Sequence, residues 1–322
     1  MTIRKYVKQY AAGHVLFEGL FYRIRAKLKY RKDSVKLQEE YDYYNQVLAR
    51  KMVSFLKKRY SKKMSKLKQE VENEVLGSLQ INSKKIWILW LQDMKNAPDV
   101  VKLCYESVLK NKPDDYEVIL LNEHNICDYV TVGERIIELY KKRYIGVQTY
   151  ADVVRLELLT KYGGTWIDAT VFFASKNYPS YFFNSELFMF LTLWPATWSI
   201  PTVMNCWFMS AKSNDKLLLL TKKLMYEYFK KNKYSCDYWL ISDMFEMAKD
   251  AYADEFENII PFSVSNATIL HQRLPKKNNE RIYLEAIKLC PIQKLNWRYD
   301  EKALNQEGTL YKYLLNMMEE SK

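Results

Sequence analysis

"LTKYGGTWIDATVFF", residues 159–173, holds a helix end, two adjacent glycines and an apolar strand interrupted by one acid, Asp168. A carboxylate buried in such a strand without a partner would be costly. Asp168 is therefore either hydrogen-bonded for structural reasons or turned toward a cation or a sugar hydroxyl. Strand alternation puts Trp166, Asp168 and Thr170 on one side, with Ile167, Ala169 and Val171 on the other. Just upstream, "TYADVVRLELLTKY" (149–162) predicts a helix that carries Asp152 and Arg155 on one face at i, i+3, while Glu157 points elsewhere. A helix that runs through a glycine turn into an acid-bearing strand can present all three groups to one ligand.

The flanking sequence predicts an α/β fold. "KKIWILWLQ" (84–92) reads as a first buried strand, "PDVVKLCYESVLKNK" as a helix opened by Pro98, and "YEVILLN" (116–122) as a second strand. This order suggests a right-handed βαβ unit. "ERIIELYKKRY" predicts a further helix. Two strands are expected within 186–211, helices near 214–231, 237–250 and 279–289, a short strand in "CPIQKLNW", and a closing helix at 309–320. In open α/β sheets ligands lie beyond the carboxyl ends of strands, where the loops after Trp90 and Asp168 would converge.

The 322 residues are 48% hydrophobic and 15% aromatic, with only 8 Gly and 8 Pro, which favours a well-packed globular chain over a linker-rich one. Charge is uneven. Residues 1–80 hold 19 Lys/Arg against 8 Asp/Glu, so they carry nearly all of the net +12. No Gly or Pro falls between Gly19 and Gly77, and the composition favours long helices. We therefore divide the chain into a basic helical extension, 1–80, and a main domain, 81–322. Phe17, Leu20, Phe21, Ile24 and Leu28 form one apolar helical face amid Arg23, Arg25, Lys27, Lys29, Arg31 and Lys32. Such a face either packs on the main domain or lies in an anionic membrane surface. No finger or helix-turn-helix pattern accompanies it, which argues against nucleic acid.

Five scattered cysteines suggest reduced, mostly buried thiols in a cytosolic setting. The N-terminal stretch lacks the pattern of a signal peptide. The uncharged run 187–211 contains Pro195, Pro201 and Asn205 and is read as two buried strands joined by a loop, not a membrane span. Phosphate-loop, dinucleotide-loop, H-E-x-x-H and G-x-S-x-G signatures are absent.

Taken in order, "KIWILWLQ", "YADVVRLELLTKYGGTWIDATVFF", "MNCWFMSAKSND", "CDYWLISDMF" and "PIQKLNW" resemble the capsular polysaccharide synthesis glycosyltransferases, which look related to glycosyltransferase family 32 with its D-x-D sugar-binding region. The similarity spans roughly residues 80 to 300. It implies a GT-A type, Rossmann-like nucleotide-sugar-binding fold, a nucleotide-diphosphate sugar donor such as a UDP-hexose, a Mn²⁺ or Mg²⁺ ion, and retention at the anomeric carbon.

By the resemblance, Asp152 and Arg155 are expected on donor sugar hydroxyls and Asp168 near the ribose and the metal. Trp90 is expected beside the nucleobase, and Trp297 joins the donor-binding set. Lys294 suits the diphosphate, whose developing charge needs a cation. Asn205 and Asp237 are acceptor-side candidates for catalysis. Thr170 stands where the general motif has a second metal-binding Asp, and Gln293 where the capsular pattern tends to have His, so the expected metal ligands are Asp168, Thr170 and Gln293. The implied acceptor is a polyprenyl-diphosphate-linked saccharide at the inner face of the cell membrane, with the protein cytoplasmic and peripheral. The rival expectations are a non-catalytic nucleotide-sugar binder on the same fold and a membrane scaffold built by the N-terminal helices.

Overall fold

The computed structural model describes residues 3–193 and 202–319. The expected loop prolines, Pro195 and Pro201, lie outside the described residues. Three helices come first: α1 (Ile3–Ala12), α2 (Leu16–Lys29) and α3 (Ser34–Val75). They are followed by β1 (Lys85–Leu89), α4 (Asp99–Asn111), β2 (Glu117–Leu121), α5 (Ile126–Tyr129), α6 (Glu134–Lys141), α7 (Val147–Tyr162), β3 (Gly164–Asp168) and β4 (Val171–Phe173). The chain continues through α8 (Tyr181–Asn184), β5 (Leu187–Leu191), β6 (Met204–Ala211), α9 (Lys216–Lys231), α10 (Leu240–Ala251), α11 (Ala253–Glu257), α12 (Glu280–Leu289), β7 (Ile292–Lys294), α13 (Glu301–Leu304) and α14 (Leu310–Glu319).

The main sheet is mixed, in the order β2-β1-β3-β6-β5. β1 runs parallel to both β2 and β3, while β6 is antiparallel to β3 and β5. Leu89 pairs with Asp168, so the carboxyl ends of β1 and β3 lie side by side. The expected strand, helix and strand at 84–122 form a parallel adjacent pair around α4.

One expectation needs correction. The apolar run from Thr165 to Phe173 is two strands in two sheets, because the chain turns at Ala169 and Thr170 and β4 leaves to pair with β7. Strand alternation therefore does not carry from Asp168 to Thr170. The backbone of Leu295 donates to the Thr170 carbonyl at 2.8 Å and fixes the turn.

The glycine pair is required by space as well as by conformation. Gly163 and Gly164 have φ of 68° and 89°. A Cβ on Gly163 would lie 2.3 Å from the Ile81 carbonyl oxygen, and one on Gly164 would lie 2.5 Å from that of Lys85. The Trp87 indole also donates to the Gly163 carbonyl at 3.0 Å. Only residues without a side chain let α7 end this close to β1 and start β3 beside it.

Helix α7 is buried on most of its sides, through Val153, Val154, Leu156, Leu158 and Leu159 among others. Such a helix sits inside its domain. Asp152 and Arg155, each 5% exposed, are carried into the core with it. The N-terminal helices share that core: Leu48, Met52, Leu56, Tyr60, Leu67 and Val71 of α3 belong to one hydrophobic cluster with residues of α7, α9 and α10. Among the described residues no helix is long and apolar enough to cross a membrane. All five cysteines are free, and four of them are buried.

Candidate active site

Three elements meet at the carboxyl end of β3. Helix α7 brings Asp152 and Arg155, β3 brings Asp168, and β7 brings Lys294. Arg155 Nη2 lies 3.1 Å from Asp152 Oδ1 and 3.6 Å from Asp168 Oδ1. Its Nη1 donates to the Cys206 carbonyl, and its guanidinium stacks 4.8 Å above the Trp166 ring. The Trp166 indole donates to Asp168 Oδ1 at 3.2 Å. On the other side of the carboxylate, Lys294 Nζ is 3.6 Å from Asp168 Oδ2 and also donates to the Thr170 hydroxyl. Asp168 is thus held by donors on both oxygens, while its side chain remains 32% exposed.

Burial sets the electrostatics. It raises the Asp152 carboxyl to about 6, with Arg155 pulling the other way and Asp168 adding repulsion. For Arg155 burial works against the charge, but Cys206, Asp152 and Asp168 outweigh it and hold the guanidinium above its ordinary value. Burial pushes the Cys206 thiol up to about 12, which makes it a neutral wall of the site. A cluster of two acids and two cations with one partly exposed carboxylate is built to receive hydroxyl groups and an anion together.

Trp90 follows β1 at the same sheet end, and its ring meets that of Trp297 edge-on at 6.3 Å. The Trp90 indole nitrogen is buried without a hydrogen-bond partner. Unsatisfied buried donors are uncommon. Trp297 is 44% exposed.

The remaining expected residues divide. Asn205, on β6, donates to the Thr192 hydroxyl at 3.0 Å and to the Val203 carbonyl at 3.4 Å, so it ties the residue after β5 to the one before β6. Asp237 lies before α10, accepts the Trp239 amide at 3.1 Å, and lines a separate cavity beside the cluster. Gln293 is corrected: it is fully buried and faces away from Lys294 because neighbouring strand residues alternate. Its carbonyl accepts from the Leu270 amide at 3.1 Å, and its amide donates to the carbonyls of Asn266 and Cys290, both at 2.8 Å. It has no oxygen free for a metal.

The donor set does not form a ready site for a divalent ion. Hard cations favour charged oxygens. Asp168 already lies between two side-chain cations, and the Thr170 hydroxyl is taken by Lys294. Among the described residues no three His, Cys, Asp or Glu side chains gather into a metal-binding group.

Sequence reasoning missed two groups. Trp166 was legible in part, since alternation puts it on the Asp168 side of β3. Tyr238 gave no signal. Burial raises its phenol, and the charges of Asp152 and Asp168 raise it further.

Fold and site together define a mixed α/β protein with a partly exposed ion cluster at the carboxyl ends of adjacent parallel strands. Residues 30–314 match the family described as capsular polysaccharide synthesis protein, and the chain belongs to that family. Among solved structures it is similar to the PaToxG glycosyltransferase at 12% identity and a TM-score of 0.37, over 85% of this chain and 97% of that one. That likeness is too distant to bear on the chemistry. No curated protein matches the sequence.

Proposed function

We propose that this chain is a retaining glycosyltransferase of GT-A type that moves a hexose from a nucleotide-diphosphate sugar, UDP-linked in the simplest case, to a lipid-linked saccharide during capsular polysaccharide synthesis. Membership of the capsular polysaccharide synthesis family supports the pathway. The observation that carries the activity is the cluster of Asp152, Arg155, Asp168 and Lys294 at the carboxyl ends of β1 and β3.

In this reading Asp168 and the Asp152–Arg155 pair receive hydroxyls of the donor, and Trp90 and Trp297 flank the base. Lys294 faces the diphosphate. The bond from the anomeric carbon to the diphosphate oxygen breaks, a bond to an acceptor hydroxyl oxygen forms, and the hydroxyl proton leaves with the nucleoside diphosphate. Lys294 stabilises the charge on the leaving group as it develops.

The N-terminal helices fit a reaction at a membrane surface. Helix α2 packs inward through Gly19 and Ala26, while Phe17, Phe21, Ile24 and Leu28 face outward at 87%, 59%, 60% and 76% exposure. With Arg25, Lys27 and Lys29 also exposed, the outer face suits an anionic lipid surface. A polyprenyl-linked acceptor would be met there.

The test is turnover of a panel of nucleotide-diphosphate hexoses by the wild type and by Asp168→Ala. Slow donor hydrolysis that disappears in the variant supports the reading; no turnover of any donor sinks it. A second reading, a binder that never turns its donor over, is favoured by the Lys294–Thr170 contact, which engages the hydroxyl expected as a metal ligand. Tight donor binding with no hydrolysis at any metal concentration would select it.

A further inference from the structure

A cavity opens beside the ion cluster, where α1, the end of α6, the start of α7 and the segment before α10 meet. Its volume is about 710 Å³, within the range of small-molecule sites. Lys8, Lys141 and Arg143 line it, and among the described residues none of the three is paired with a carboxylate. Tyr144, Tyr234 and Tyr238 supply flat apolar walls. Tyr144 and Tyr234 meet edge-on at 5.4 Å, with Lys8 held 4.7 Å above the Tyr234 ring. The first turn of α7 opens into the same space, and Gly146 gives it no side-chain cap. Three cations and an uncapped helix start, set against the single carboxylate of Asp237, favour an anion.

The cavity connects with the cluster through α7. Thr149 lines it and lies three residues before Asp152, on the same helical face and about 4.5 Å along the axis. Tyr238 lines it too, and its phenol responds to the charges of Asp152 and Asp168. A ligand held here therefore sits against the helix that carries Asp152 and Arg155.

We propose that this cavity is the acceptor subsite and takes a phosphorylated saccharide, with the phosphate against Lys8, Lys141, Arg143 and the first turn of α7, and the sugar ring on the tyrosines. The inference rests on the transferase reading above and deepens it by naming the acceptor chemistry and the residues that hold it. It also gives α1 a place in the site, since Lys8 and Gln9 form part of the wall. The phosphate can belong to a free sugar phosphate or to a lipid-linked one.

The experiment measures the affinity of the full chain for three probes: a hexose 1-phosphate, the same hexose on a short water-soluble polyprenyl diphosphate, and UDP. The wild type is compared with Lys141→Glu/Arg143→Glu and with the charge-keeping Lys141→Arg/Arg143→Lys. Both positions are exposed, and circular dichroism checks that the fold is kept. We expect charge reversal to weaken both sugar phosphates at least tenfold, with less than a twofold change for UDP, and the charge-keeping variant to stay within threefold of wild type. Equal loss of UDP would assign the cavity to the donor and overturn the inference. Sugar-phosphate affinity unchanged by charge reversal would overturn it as well, whereas binding of the lipid-linked probe alone, weakened by charge reversal, would support it and assign the phosphate to the lipid-linked form. Failure of UDP to bind the wild type would instead count against the transferase reading.

Discussion

The ammonium of Lys294 lies 3.6 Å from Asp168 Oδ2, so a strand from the second, two-stranded sheet delivers a cation to the acid that ends β3 of the main sheet. This contact joins the two sheets at the point where a donor diphosphate would sit.

Lys294→Met should therefore lower kcat/KM for the donor on the order of 100-fold, in line with loss of one charge-stabilising group. Because the contact is partly open to solvent, stability should change by less than about 1 kcal/mol. The measurement is donor hydrolysis beside a thermal melt, each with Mn²⁺ and with a chelator. Strong Mn²⁺ dependence of the wild type, with the Lys294 variant unaffected, would show that Lys294 is not the cation that matters.

Arg155 answers two acids at once, and its removal leaves Asp152 buried without a cation. Arg155→Ala should cost about 3–5 kcal/mol of stability, the usual penalty for breaking a buried pair. Asp152→Asn combined with Arg155→Met should recover much of that loss and still abolish turnover. Chemical denaturation of the three proteins measures the difference, and a fully destabilised double variant would contradict it.

Asp243 on α10 is buried, and its Oδ2 has no hydrogen-bond partner. Burial raises its carboxyl well above the ordinary value, and the charges of Asp237 and Glu246 push the same way. The native state thus holds this proton more tightly than the unfolded chain does. Its contribution to stability is present in full below the unfolded pKa, about 4, and is lost as pH rises toward the folded value. Asp243→Asn removes that loss, so the variant should melt higher than wild type at pH 8, and its advantage should shrink at pH 5. Melting curves at the two pH values check the sign.

The outward face of α2 predicts a surface effect with no folding cost. Phe17→Ser combined with Phe21→Ser and Leu28→Ser should reduce co-sedimentation with anionic vesicles several-fold, with the melting temperature unchanged. If vesicle binding persists, the anchor lies elsewhere on the chain.

The helices and strands around Gly163-Gly164 were legible because glycine spacing and apolar periodicity act locally. Asp152, Arg155 and Asp168 could be grouped from sequence for the same reason: one helix, one turn and one strand connect them. The break after Asp168 was not legible, since it depends on β7, more than 120 residues away, capturing Val171–Phe173. Gln293 was misjudged on the same ground. Nothing in "PIQKL" says which face of so short a strand meets the core, and one of the two carbonyls that hold its amide, that of Asn266, comes from 27 residues upstream. Tyr238 joins the site only through the packing of α10 beside α7.

The shared core of α3 with α9 and α10 has a practical bearing on how this protein can be shortened. A chain begun near residue 80 would uncover the surfaces that Leu56, Tyr60, Leu67 and Val71 now cover, and would behave as a core deletion. Its stickiness toward vesicles would then report raw apolar surface, whatever the native protein does at a membrane. Point changes on α2 in the intact chain avoid that confusion.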